Sequence, residues 1–405
     1  MTAPKLRFKE FDGDWTLQNL GDSFSLISGY AFPSSSSVDV GARWLKIADV
    51  GIQEMTPNNP SYLPLEYLDK YSQFIVSKND YVIALTRPIL NKKLKIAKVG
   101  ELYDGALLNQ RVAKIYSKTK DLDFIYSLLQ KSKTVEELEN SIAGTDPPNL
   151  SLNDVKEIKL GFPSKEEQMK IASFLSAVDE KISQLTRKHQ LLSQYKQGMM
   201  QKLFSQQIRF KADDGSEFGE WEATTLGQTG KFIGGGTPSK ENSEFWEGSI
   251  PWISSSDLTE ESIFKINITR FISQNALNQS AAKLVPANSI LIVSRVGVGK
   301  VAITPNEICT SQDFTSLTLH KGSSIFFAYL IKSLTPYLLE MNQGTSIKGF
   351  VKDDLANLDL KIPCLEEQTK IANFLSIIDQ KIYVVAQQIE QGKQWKKGLL
   401  QQMFV

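Results

Sequence analysis

The chain has 405 residues, 41% of them hydrophobic and 22% charged, with a formal net charge of +1; this allows two or three domains and excludes a disordered chain. Two cysteines (Cys309, Cys364) and two histidines (His189, His320) exclude a disulfide scaffold and a Cys- or His-rich zinc site. No apolar run reaches membrane-spanning length and the N-terminus lacks the pattern of a secretory leader, so no membrane contact and a cytoplasmic location are the expected defaults.

The first segment, residues 1–160, opens on Leu6-Arg7-Phe8, Gly13-Asp14-Trp15 and Leu20-Gly21. Strand-like runs follow (YVIALTR at 81–87, KIAKVGEL at 95–102), separated by turns rich in Gly, Pro, Asn and Ser. DFIYSLLQKS at 123–132 reads as a helix. Between Arg87 and Lys98 lie Lys92, Lys93 and Lys95 with no acidic residue. Such a cluster suits phosphate neutralisation; from charge alone a solvated strand edge, where lysines deter aggregation, fits it better. Asp146-Pro147-Pro148-Asn149 has the Pro-Pro core of an amino-methyltransferase loop, but position 149 is not aromatic and no glycine-rich cofactor loop precedes it. It reads as a loop before a strand at 150–160.

Residues 161–207 predict one long helix. Ser164 and Glu167 have the spacing of a capping box. Ile171, Leu175, Val178, Ile182 and Leu185 then recur at alternating steps of 4 and 3, which is heptad spacing. His189 sits on this stripe as a polar residue that specifies register. A continuous helix from Lys165 to Ser205 would be about 60 Å long at ~1.5 Å per residue.

The third segment, residues 208–360, echoes the first: Arg209-Phe210, Trp221 and Leu226-Gly227 repeat its opening. Trp252 and Asp257 match Trp44 and Asp49, and ILIVSR at 290–295 matches VIALTR at 82–87, which pairs Arg87 with Arg295. Gly144-Thr145 likewise recurs as Gly344-Thr345. IFFAYLIKSLTPYLLEMN at 325–342 reads as a helix. Gly234-Gly235-Gly236-Thr237-Pro238 reads as a flexible turn, and Gly297-Val298-Gly299-Lys300 lacks the first glycine and the Ser/Thr of a phosphate loop. The stretch from Ser262 to Asn306 holds five basic residues, Arg295 and Lys300 among them, and no acid. His320, Cys309 and Cys364 are isolated, so structural or surface roles fit them better than catalysis or metal binding.

The fourth segment, residues 361–405, settles the organisation. PCLEEQTKIANFLSIIDQKI at 363–382 repeats PSKEEQMKIASFLSAVDEKI at 163–182, with 13 identities in 20 positions. Gln194, Lys196, Gly198, Gln201 and Phe204 recur as Gln394, Lys396, Gly398, Gln401 and Phe404. The stripe recurs as Ile371, Leu375, Ile378, Ile382, Val385 and Ile389. Each stripe needs a partner, and the other helix is the simplest one. The expected fold is therefore α+β: two similar mixed α/β domains joined by two long helices in an antiparallel coiled coil, with a pseudo-twofold internal repeat. The helical blocks are basic and the third segment is acidic overall.

The doubled Pro-x-x-Glu-Glu-Gln-x-Lys-Ile-Ala-x-Phe-Leu-Ser-x-x-Asp-x-Lys-Ile pattern resembles the helical regions of type I restriction–modification specificity subunits. The four-part order, the two openings and the GGTPS run at 235–239 resemble that family over the whole chain. The resemblance implies two target recognition domains, each reading half of a bipartite double-stranded DNA site, with helices that set the spacer and dock two methyltransferase subunits. Restriction/translocase subunits would join the full complex. S-adenosylmethionine, ATP and Mg2+ would sit on those partners, with no cofactor, no metal and no catalysis in this chain. Candidate DNA-binding residues are Arg87, Lys92, Lys93, Lys95, Asn109, Gln110 and Arg111 in the first domain. In the second they are Thr237, Ser239, Lys240, Ser255, Arg295, Lys300, Gln312 and Lys348. Arg pairs with guanine and Asn or Gln with adenine, while Lys and Ser suit phosphates. Phe174, Lys181, Phe374 and Lys381, one step off the stripe, are candidate partner contacts; the phenylalanines serve either as exposed interface anchors or as packing under the adjacent mixed domain. A coiled-coil scaffold whose domains bind proteins is the competing reading; a self-contained methyltransferase would need the motifs found missing.

Overall fold

The computed structural model describes residues 3–57, 60–142, 147–341 and 349–405. Its chain falls into two compact units, Met1–Thr186 with Gln387–Val405, and Arg187–Ala386. Each unit thus takes one mixed α/β domain, the first half of one long helix and the second half of the other.

In the first unit a four-stranded antiparallel sheet runs Ser25–Ser28, Val112–Tyr116, Tyr81–Ala84, Ile96–Lys98. A smaller sheet orders Tyr62–Leu63, Ala42–Leu45 and Leu107–Leu108, the last two parallel with Trp44 opposite Leu107. The strand Thr16–Asn19 pairs with Lys159–Phe162, which leads directly into the long helix Lys165–Phe204. The stretch expected as a strand at 150–160 is instead a short helix, Leu152–Val155, followed by that strand. Ser151 caps the helix by accepting the Asn153 N–H, so a turn-forming side chain outweighs the β-favouring neighbours.

The second unit repeats this plan. Its sheets order Gly230–Gly234, Phe314–Leu319, Ile290–Val293, Val301–Ile303, and Arg270–Ile272, Ile250–Ile253, Ile308–Thr310, Leu284–Val285. Trp252 stands opposite Cys309 as Trp44 does opposite Leu107. Glu222–Thr225 pairs with Asp359–Ile362 and leads into the second long helix, Leu365–Gln402. The helix Ser324–Met341 covers the sheet.

The helix stripe is buried in each unit, but not only against the other helix. Ile171, Leu175 and Val178 join Trp15, Phe124 and Phe404 in one core; Ile371, Leu375 and Ile378 join Trp221, Phe326 and Leu203 in the other. Within each unit the two helix halves run antiparallel. Asp179 meets Lys396, and Ile182 faces Gly392. Asp379 meets Lys196. His189 is half-buried on the stripe.

The repeated motif has a physical explanation. Ser164 Oγ accepts the Glu167 N–H at 3.3 Å, but the Glu167 carboxylate does not turn back to close a capping box. It is buried, and Arg7 grips it with two N–H groups at 2.8 and 2.7 Å while Trp15 Nε1 donates at 3.4 Å. Glu367 is held by the same residue types, by Arg209 at 3.1 and 2.7 Å and by Trp221, on the other carboxylate oxygen, at 3.2 Å. A bidentate guanidinium and the helix N-terminus both favour the carboxylate there, so this use of the side chain wins over the cap. Gln168 and Gln368 next to them each donate to the preceding proline carbonyl, Pro163 or Pro363, and accept from the Asp121 or Ser323 N–H. The motif therefore bolts each domain's opening strand to the start of its helix.

Candidate nucleic-acid interface

The two mixed α/β domains can be aligned by strand pairing. Ala84 pairs with Val112, and Val293 with Phe314. Gly29 donates to Val112 O at 3.0 Å, as Gly235 does to Phe314 O at 3.3 Å. Asn79 and Asn288 sit at the same turn, both at positive φ (74° and 62°), a conformation asparagine tolerates well. This register makes Thr86, not Arg87, the counterpart of Arg295. The expected pairing of the two arginines is off by one residue, because the connections beyond the matched strands differ in length and the sequence alone gave no ladder to count along.

Arg87 is exposed with φ 48°, and its N–H is anchored to Pro148 O. Beyond it a hairpin joins Ile89–Leu90 to Lys93–Leu94 through Asn91 and Lys92, at φ 50° and 57°. Two consecutive left-handed residues form the tight turn that matches strand twist, and they leave Lys92 and Lys93 exposed at its tip. Lys95 is half-buried, and burial pushes its ammonium below the usual lysine range. Pro147, Pro148 and Asn149 lie beside this hairpin: Asn149 accepts from Thr86 Oγ1 at 2.6 Å and donates to Pro147 O. Asp146, Gly144, Thr145, Gly344, Thr345 and Lys348 lie outside the described residues.

Asn109, Gln110 and Arg111 form a turn closed by the Arg111 N–H on Asn109 Oδ1 at 3.1 Å; Gln110 and Arg111 are exposed. In the second domain Thr237 Oγ1 lies 2.5 Å from Gln312 Oε1. Ser239 and Lys240 are exposed beside them, Ser239 accepting the Trp246 N–H on its carbonyl. Arg295 is exposed. Ser255 is buried, and Lys300 is spent on its carbonyl at 2.9 Å. That bond shapes the loop, in which Gly297 and Gly299 take φ 83° and 101°.

The glycine run at 234–236 is not a flexible turn. Gly234 ends a strand; a Cβ on Gly235 would lie 2.0 Å from Ser311 O, and one on Gly236 2.0 Å from Ala281 O. The run lets backbones approach closely, and Trp252 Nε1 donates to Gly236 O at 3.0 Å.

Phe174 and Phe374 are not exposed flanks either. Both are half-buried, edge-on to Phe8 and Phe210 at 5.7 and 5.6 Å, because the motif pins each domain's opening segment against that face. Lys181 and Lys381 are exposed. Three large aromatics of the two long helices are exposed: Tyr383 (55%), matched by a serine at the same position of the other repeat, and the repeat-related pair Tyr195 and Trp395, 52% and 55% exposed. Tyr195 and Trp395 occupy the same repeat position off the stripe, a signal the sequence carries beside the heptad pattern.

Among the described residues no group of His, Cys, Asp and Glu side chains could hold a metal ion, and no helix is long and apolar enough to cross a membrane. The profile of the family described as "Type I restriction modification DNA specificity domain" matches residues 13–193 and 219–393, one copy per recognition domain and its helix. The chain belongs to this family. Within the specificity-domain family it is similar to the MjaVIII specificity subunit of Methanocaldococcus jannaschii, 31% identical over 209 residues, 51% of this chain and 49% of that one. The chain thus spans about half the length of that relative. A putative MjaX specificity subunit of the same organism is 25% identical over 98% of this chain and 94% of its own. In fold the chain resembles the crystal structure of a type I restriction–modification S subunit from M. genitalium, with a TM-score of 0.62, 17% identity, and coverage of 100% and 99%.

Proposed function

We propose that this chain is the DNA-specificity subunit of a type I restriction–modification complex. Residues 1–160 read one half of a bipartite double-stranded site and residues 208–360 the other. The segments 161–207 and 361–405 set the spacer and dock two methyltransferase subunits, and restriction/translocase subunits join the full complex. The observation that carries this reading is the uneven duplication: the helix motifs match at 13 of 20 positions while the reading domains share a plan and differ in their exposed polar residues. Equivalent partners need equivalent docking faces; unlike half-sites need unlike readers.

Arg87, Lys92, Lys93, Arg111, Lys240 and Arg295 are the exposed basic groups for phosphates and guanines, with Ser239 beside them. Asn109, Gln110 and Gln312 are suited to base edges, with Thr237 bonded to the Gln312 amide. Lys95, Ser255 and Lys300 shape their loops; Lys348 remains a candidate by sequence. On the helices, Tyr195 and Trp395 are better anchors for methyltransferase subunits than Phe174 and Phe374, with Lys181 and Lys381 as a polar rim. S-adenosylmethionine, ATP and Mg2+ belong to the partners, and this chain supplies no chemistry of its own. The complex works in the cytoplasm, where its DNA is. Co-expression with the methyltransferase subunit followed by methylome sequencing tests the reading: an interrupted two-part motif is expected, and methylation without sequence preference would overturn it.

A further inference from the structure

Gln110 and Gln312 occupy the same position of the two recognition domains. Each lies three residues beyond the residue paired with the matched tryptophan: Leu107 opposite Trp44, Cys309 opposite Trp252. Each is the middle residue of a turn closed by a side chain. The Arg111 N–H donates to Asn109 Oδ1 at 3.1 Å, and the Asp313 N–H donates to Ser311 Oγ at 3.4 Å. Both glutamines are exposed. Their neighbours have diverged, Asn to Ser before and Arg to Asp after, while the glutamine is the same. Yet their surroundings differ in one respect. Tyr30 donates to Leu108 O as Gly236 does to Thr310 O, so the residue facing Gln312 from the loop after Gly234, Thr237, corresponds to Ala31. Thr237 binds the Gln312 amide through its hydroxyl; Ala31 has none to offer Gln110.

We propose that Gln110 and Gln312 are the paired base readers of the two half-sites, each directed at an adenine, and that Thr237 is a positioning residue that locks Gln312 in its reading orientation. This rests on the DNA-reading function proposed above. A carboxamide offers a donor and an acceptor side by side, which matches the N7 acceptor and N6 donor on the major-groove edge of adenine. The Thr237 hydroxyl donates to one lone pair of Gln312 Oε1. The second lone pair and the Nε2 hydrogens remain for the base. Fixing the amide plane in advance removes ordering that binding would otherwise have to impose. The second half-site is therefore read more stringently at this base than the first.

The test is selection of randomised duplexes by the full chain assembled with its methyltransferase subunits. Gln110→Ala should relax one base pair in one half-site, and Gln312→Ala one base pair in the other, each by about 5- to 150-fold in preference for adenine. Thr237→Val should weaken the position that Gln312→Ala relaxes, Thr237→Ser should restore it, and Thr237→Val added to Gln312→Ala should do nothing more. Assembly on size exclusion confirms that each variant folds. Unchanged adenine preference in either glutamine variant, or a Thr237→Ser that behaves like Thr237→Val, overturns the proposal. A wild-type complex that selects no sequence overturns the DNA-reading function instead.

Discussion

Lys196 of one long helix meets Asp379 of the other, Nζ to Oδ1 at 2.5 Å, with both side chains less than a tenth exposed. Tyr329 donates to the second carboxylate oxygen at 2.5 Å. The counterpart in the first unit joins Lys396 to Asp179 at 2.6 Å, with Gln130 as a further acceptor at 2.9 Å. Each pair ties together residues that the repeat places at matching positions, so the Asp-x-Lys end of the motif and the later lysine specify one antiparallel register twice. Lys196→Met should leave Asp379 buried and uncompensated, at a cost of about 3–5 kcal/mol. Replacing all three groups (K196M, D379L, Y329F) should recover most of it, since apolar packing needs no charge balance. Urea unfolding of the three chains checks this; equal losses in the single and triple variants would refute it.

Lys332 stands beside this pair and donates to Glu260 O. Burial, and then the charge of Lys196, push its ammonium down to about 8. The unfolded chain keeps the ordinary value near ~10.4. Between those limits the unfolded state binds more protons, so this group makes stability rise with pH across about 8 to 10.4, and its penalty is complete below pH 8. Lys332→Met should therefore stabilise the protein at pH 7, on the order of 1–2 kcal/mol after allowance for solvent screening and the lost hydrogen bond. The difference in Tm between variant and parent should shrink as pH rises from 8 to 10. A constant difference would remove the assigned cause.

Gly235 and Gly234 make a matched test of close backbone approach. An added Cβ at 235 collides with Ser311 O, while nothing lies within 4 Å of one at 234. Gly235→Ala should lower stability by roughly 1–3 kcal/mol, and Gly234→Ala far less. The comparison is read from paired thermal melts; equal effects would mean that the run is only a flexible link.

These glycines mark the boundary of what the sequence could tell. Heptad spacing gave the long helices almost to the residue, because a helix that buries a stripe writes its period into the chain. Arg7, Trp15 and Glu167 were all visible as repeated motif residues, as were Arg209, Trp221 and Glu367. Their union was not visible, since more than 140 residues separate the tryptophan from the glutamate in each set and no periodicity links them. The same limit explains the one-residue slip at Arg87 and Arg295: strand register is fixed by partners distant in sequence. Whether Phe174 is exposed or covered by its domain stayed open for a related reason, as helix periodicity names a face but not the segment that covers it.

Tyr195 and Trp395 carry the docking prediction. Trp395 lies beside a groove formed with Val178, Ile182, Leu185 and Gly392, where glycine stands at the position of Leu192 in the first repeat. Tyr195→Glu and Trp395→Glu should each weaken retention of methyltransferase subunits in a pull-down, because a buried interfacial anchor would become a charge. Phe174→Ala should chiefly lower the melting temperature by opening the edge contacts to Phe8 and Trp395. Retention unchanged in both glutamate variants would move the docking face elsewhere.

The helices should also set the distance between half-sites. In the first unit residue 182 faces 392, so 184 lies opposite about 390; in the second, 196 meets 379, so 190 lies opposite about 384. One heptad inserted after Gln184 and one after Val384 therefore lengthens both strands of the coil within the same stretch and leaves the flanking pairs in register. Each helix grows by about 10 Å at ~1.5 Å per residue. Duplex DNA rises ~3.4 Å per base pair, so the spacer can grow by up to about three pairs. Three pairs also rotate the second half-site by roughly 100° at ~10–10.5 pairs per turn, which the coil does not reproduce, so a shift of one or two pairs is expected. The half-site sequences should be unchanged, since no reading residue has moved within its own domain. Methylome sequencing of the lengthened chain with its partners gives the answer: an assembled complex that still methylates the original spacing would mean that something other than the helices measures the gap.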